Sequence, residues 1–164
     1  MHGLEGADLK AAAFIKSEGI IYRVLDPVAM LKAKAANIRD IGQAGPPPRQ
    51  GRAHLHLIAR CVPEFLRDVH QSAIADCNRE RQALAVVRRA FKTLQNAKTS
   101  HILQLEGIAP ATLIPGELRE SPLARIRTAF EWQFRLLAAL TRTSADRLEL
   151  STHRVRQRPT TDLA

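Results

Sequence analysis

Apolar residues recur along this chain at steps of three, four and seven, the spacing that gathers side chains on one face of an α-helix. The densest stripe runs through Leu55, Ile58, Val62, Phe65, Val69, Ala73, Cys77, Leu84, Val87, Phe91 and Leu94. Pro63 falls inside it. A proline removes a backbone donor and clashes with the carbonyl four residues back, so the pattern predicts a kink there or a restart with Pro63 in the first turn. From Glu64 to about Lys98 no further breaker interrupts the stripe. A second stripe, Leu123, Ile126, Phe130, Phe134, Leu137 and Leu140, follows Ser121-Pro122, a good helix opening, and predicts a helix to about Thr141.

Towards the N-terminus the pattern is shorter. Asp8 can cap a helix running through Leu9, Ala12, Ala13, Phe14 and Ile15 to a stop at Gly19. Residues 20–25 form a β-branched run with no evident partner strand, which reads as extended linker or helix. Asp26-Pro27 then opens a helix to about Ile41 that turns Val28, Leu31, Ala35 and Ile38 to one side, with Gly42 where a left-handed cap belongs. The next segment, GQAGPPPRQGR, is the clearest break: three prolines impose polyproline II geometry between free glycine ends. It reads as a semi-rigid spacer, or as a basic Pro-rich ligand for an aromatic groove on a partner.

These patterns predict an all-α protein: a compact helical bundle with an N-terminal helical arm joined by a Pro-rich linker. The expected divisions are residues 1–42 for the arm, 43–52 for the Gly/Pro linker, 53–150 for the main helical domain and 151–164 for a flexible basic tail. Composition supports the class, since 45% of the 164 residues are hydrophobic but only 4% aromatic, and Ala and Leu favour packed helices over sheet. No apolar run approaches the ~18–20 residues that cross a bilayer, and the start is not a basic-then-apolar signal segment, so a cytoplasmic protein with no membrane partner is expected. Cys61 and Cys77 lie in helical apolar patterns and read as small core residues of a reducing compartment.

Residues 99–122 hold a more suggestive string. Ser100 can cap a short helix to Glu106, Gly107 can make a turn, and residues 109–113 can begin another helix. That order resembles the turn of helix-turn-helix DNA-binding proteins. It departs from them at Pro115-Gly116, which would end the second helix after about one turn.

Charge changes the picture most. The formal net charge is +9, and 19 of the 25 basic residues are Arg. Residues 1–42 hold six basic and five acidic residues, so nearly all of the surplus belongs to the rest of the chain. Such a surplus attracts polyanions in a salt-dependent way. Arg81, Arg88, Arg89 and Lys92 share helical spacing and predict a phosphate track on one helix. On the last predicted helix Arg125, Arg127, Arg135 and Arg142 supply a second set, and Trp132 sits among Arg125, Arg135 and Arg142 at compatible offsets. There the indole can stack exposed bases, or it can widen the apolar face and pack beneath Arg stems.

Enzymatic motifs are absent: no phosphate-binding Gly-Lys-Ser/Thr loop, no dinucleotide glycine pattern, no nucleophile elbow and no His-Glu-x-x-His. His54 with Cys61, and His70 with Cys77, are seven apart, too far along a helix for one ion. No catalytic residue, metal site or cofactor is therefore expected. Two functions fit. One is a non-enzymatic nucleic-acid-binding subunit or accessory protein of a larger assembly, contacting the DNA or RNA backbone through its Arg-rich helix faces. In size, helicity and Arg-bearing helices it is similar in type to the small subunits of CRISPR effector complexes, without a diagnostic motif of them. The other is a structural or adaptor protein, of a phage particle or a secretion or conjugation machinery, which associates with itself or with protein partners through apolar helix faces. Convergence of the two Arg sets on one concave face favours the first; scattered, carboxylate-paired arginines beside an exposed apolar patch favour the second.

Overall fold

A computed structural model describes residues 13–17, 19–42 and 49–139 of the chain. It begins with an antiparallel hairpin, β1 (Ala13–Ser17) and β2 (Ile20–Val24). Four helices follow: α1 (Pro27–Gly42), α2 (Arg49–Ala75), α3 (Glu80–Gln95) and α4 (Ala97–Leu105). Two short 3-10 segments, Pro110–Leu113 and Gly116–Glu120, lead to a last helix, α5, over residues 124–139.

The helices build the predicted all-α bundle. α1 packs against α2, α3 and α4, and α3 packs against α2 and α4. One continuous core results, from Val28 and Leu31 of α1 through Leu55, Val62 and Leu66 of α2 and Val87, Phe91 and Leu94 of α3 to Ile126, Phe130 and Leu137 of α5. At its centre the Phe91 and Phe130 rings meet edge to face at 5.9 Å, and Phe130 stacks on Phe134 at 4.9 Å. Arg119 lies over the Phe130 and Phe134 rings, 5.7 and 5.6 Å from their centroids. Among the described residues no helix is long and apolar enough to cross a membrane.

Several local expectations are corrected. Residues 13–17 are a strand and not part of a helix, and they supply the partner that residues 20–24 need. Gly19, at φ +79°, makes the reversal between them, a left-handed conformation that costs glycine little. The helix expected as an arm is α1, whose Val28, Leu31, Ala35 and Ile38 lie in the common core. Asp26 caps it as predicted, Oδ1 accepting from the Ala29 N–H at 3.0 Å. α2 starts at Arg49, inside the predicted linker, and runs through Pro63 without a break.

The interruptions come instead at Asp76 and Asn96, whose side chains compete for the backbone. Asp76 accepts from Asn78 N–H at 3.0 Å and opens a 3-10 turn, Cys77–Arg79. Asn96, not Ser100, caps α4, accepting from Lys98 and Thr99 N–H at 3.1 and 3.2 Å. Cys77 lies in that first break, beyond the end of α2 and off its apolar face, and is exposed. Cys61, one step of about 100° beyond the buried Val62, is exposed too. Gly107 turns at φ +72°, but the segment after it is a four-residue 3-10 turn, so the second helix of the helix-turn-helix resemblance is missing. The predicted linker core at 43–48, the first helix ahead of residue 13 and the basic tail lie outside the described residues.

His54 and His56 face solvent, whereas His70 is buried and its Nε2 lies 2.7 Å from Ser121 Oγ. Ser121 Oγ also accepts from Leu123 N–H at 3.1 Å, so this pair fastens α2 to the start of α5. Burial pushes the His70 imidazole below the usual histidine range, and the nearby Glu117 carboxylate opposes that push. The unfolded chain therefore binds the proton first as pH falls below about 6.5, and stability drops until the folded imidazole is protonated as well. Urea unfolding at neutral and mildly acidic pH should show this loss in the wild type, with a much smaller one in His70→Gln. An equal loss in both would assign it to other groups.

Candidate nucleic-acid interface

α3 and α5 are held together at one end and stand apart at the other. The Phe91–Phe130 contact and two hydrogen bonds join them: Gln95 Nε2 donates to the Gln133 carbonyl at 3.1 Å and to its Oε1 at 2.9 Å. Beyond this clasp the facing positions are small. Ala85 on α3 and Ala124, Thr128 and Ala129 on α5 leave an open groove of about 770 Å³. Large side chains flank that space: Arg81, Leu84 and Arg88 from α3, and Arg125, Trp132 and Gln133 from α5.

Both walls follow helix geometry. Arg81, Leu84, Ala85 and Arg88 are spaced i, i+3, i+4, i+7, and Arg125, Thr128, Ala129 and Trp132 repeat the same spacing. A seven-residue step is two turns, or about 10.5 Å along the axis, so each wall offers two large polar or aromatic groups that far apart. The lining includes three guanidinium groups and no carboxylate.

Ion pairing separates these arginines from others. Arg39 pairs with Asp40, Arg52 with Glu106, Arg67 with Glu64 and Glu117, and Arg79 with Asp76. Glu117 is held below the usual carboxylate range by its own backbone N–H and then by Arg67. Among the described residues, no ion pair engages Arg81, Arg88 or Arg125. Trp132 is 67% exposed, more than any other large apolar side chain described.

Four of the nine candidate residues thus meet in one groove: Arg81, Arg88, Arg125 and Trp132. Arg89 does not join them. It lies about 100° around α3 from Arg88 and turns inward to an ion pair with Asp26, its Nε buried without a partner. Arg127 reaches back instead, donating to the Ser121 carbonyl at 3.3 Å. Lys92 and Arg135 are exposed but do not line the groove. Arg142 lies outside the described residues. The groove's polar groups Thr128 and Gln133 escaped the sequence reading, although stepping three, four, seven and eight residues from Arg125 reaches every residue of the α5 wall except Ala124. No protein-family model, curated protein or solved structure matches the chain.

Proposed function

We propose that this chain is a non-enzymatic nucleic-acid-binding subunit of a larger assembly, which holds the phosphate backbone in the α3–α5 groove. The observation that carries the reading is the convergence of Arg81, Arg88 and Arg125, all outside ion pairs among the described residues, on one carboxylate-free concavity. Three unopposed guanidinium groups repel one another, and phosphates relieve that repulsion with charge-assisted, bidentate hydrogen bonds. The net charge of +9 adds long-range attraction without choosing a sequence. Exposed apolar side chains outside the groove are dispersed: Leu57 and Ile74 lie towards opposite ends of α2, and Leu105 lies on α4. Such single residues are normal on a soluble surface.

Binding to labelled single-stranded and duplex DNA and RNA, measured across a salt series, tests the proposal. Each phosphate neutralised on a single strand contributes about −0.7 to the slope of log affinity against log salt. An Arg81→Ala/Arg88→Ala/Arg125→Ala variant should therefore bind more weakly, with a slope shallower by about 2. That corresponds to about 20-fold of affinity between roughly 50 and 200 mM salt. Equal, weak binding by wild type and variant to all four polymers would refute the reading.

A further inference from the structure

The groove offers more than charge. Trp132 stands on its α5 wall, mostly exposed, and Leu84, Ala85, Ala124 and Ala129 make much of the remaining lining apolar. A duplex keeps its base faces stacked inside and would present this surface only with sugars and phosphates. The indole and the alanines would then face charged backbone. A single strand supplies both partners at once, phosphates for guanidinium groups and an unstacked base face for an aromatic ring. The volume of about 770 Å³ is ample for a group of nucleotide size.

We infer that the groove takes a single-stranded segment, with one base stacked on the Trp132 indole and flanking phosphates on Arg81, Arg88 and Arg125. This inference rests on the nucleic-acid reading above and adds the polymer's form and the base contact. It also implies tolerance of base identity. The Gln133 amide, the group best suited to reading a base edge, already accepts from Gln95, and Thr128 supplies the lining's hydroxyl. Stacking works for every base, since each has a π face.

Trp132 is the only tryptophan in the chain, so its intrinsic emission reports the groove without a label. The full chain is titrated with an unlabelled single-stranded oligonucleotide, a duplex of equal length, an abasic single strand and poly-glutamate, and binding is followed in parallel by anisotropy of labelled forms. The single strand should quench the emission saturably, whereas the duplex and the abasic strand should leave it nearly unchanged. Trp132→Ala should weaken single-strand binding about 5- to 150-fold, the range of one lost base stack. It should not alter binding of the abasic strand, and Trp132→Phe should restore most of the affinity. As Trp132 is exposed, these substitutions leave the core intact.

Salt-sensitive single-strand binding with unchanged emission, and no effect of Trp132→Ala, would overturn the stacking inference while leaving the backbone reading in place. No binding of any polymer would overturn both. Poly-glutamate quenching as strongly as the single strand would also overturn the inference, and would make the groove a seat for an acidic protein segment.

Discussion

Phe91→Ala is expected to cost about 3–5 kcal/mol of folding stability, the largest single-residue effect predicted for this chain. Phe91 is completely buried, and its ring meets that of Phe130 edge to face with centroids 5.9 Å apart. Truncation removes apolar burial, leaves a cavity between α3 and α5 and abolishes the aromatic pair. Against a total of about 5–15 kcal/mol for a domain, that is a large share, and the melting temperature should fall by roughly 10–15 °C. Phe91→Leu, which keeps most of the volume, should cost clearly less. Chemical denaturation of the three proteins provides the test. A loss below about 1 kcal/mol for Phe91→Ala would mean that the α3–α5 junction is not packed as described.

Asp26→Ala should rank second, at about 2–3 kcal/mol, because one carboxylate does two jobs. Its Oδ1 caps α1 through Ala29 N–H, and its Oδ2 receives the Arg89 guanidinium. The two side chains are only 13% and 22% exposed, so removing the carboxylate leaves Arg89 partly buried without its counter-charge. Loss of the cap alone is worth about 1 kcal/mol. Asp26→Asn separates the contributions, since asparagine caps as well as aspartate but carries no charge. Urea unfolding should therefore order the stabilities as wild type, Asp26→Asn, Asp26→Ala. Equal stability of all three would remove the contact as a tie between α1 and α3.

The same contact illustrates how far the sequence could be read. Asp26-Pro27 announced α1 because capping is a local event, decided by a side chain and the N–H three residues on. The partner of Asp26 could not be read, because Arg89 is 63 residues away and only the packed bundle brings them together. Arg88 and Arg89 look equivalent in a string of letters. A rotation of about 100° sends one to the groove and the other to a carboxylate. The hairpin was misread for a related reason: residues 13–17 carry too few positions to distinguish a period of two from one of 3.6. Pro63 outweighed Asp76 and Asn96 in the sequence, yet α2 passes through the proline. The two Asx residues broke the stretch by offering their backbone neighbours better local hydrogen bonds.

Of the groove, the helices and the large residues on them were legible and the concavity was not. The groove exists because Ala85, Ala124, Thr128 and Ala129 are small where two helices face each other. Nothing in either helix alone says that they do. Trp132 could equally have closed that space as core, and its exposure follows from the way Phe130 and Leu137 claim the inward face of α5.

The most direct measurement compares two charge-matched triple variants in the same single-strand binding assay. One removes Arg81, Arg88 and Arg125; the other removes Arg39, Arg52 and Arg79, which are paired to Asp40, Glu106 and Asp76. Each lowers the formal charge from +9 to +6, so diffuse electrostatics predicts equal losses. If the groove binds phosphate, the first variant loses most of the salt-sensitive affinity and the second keeps most of it. Equal losses in the two variants would contradict a groove-centred interface.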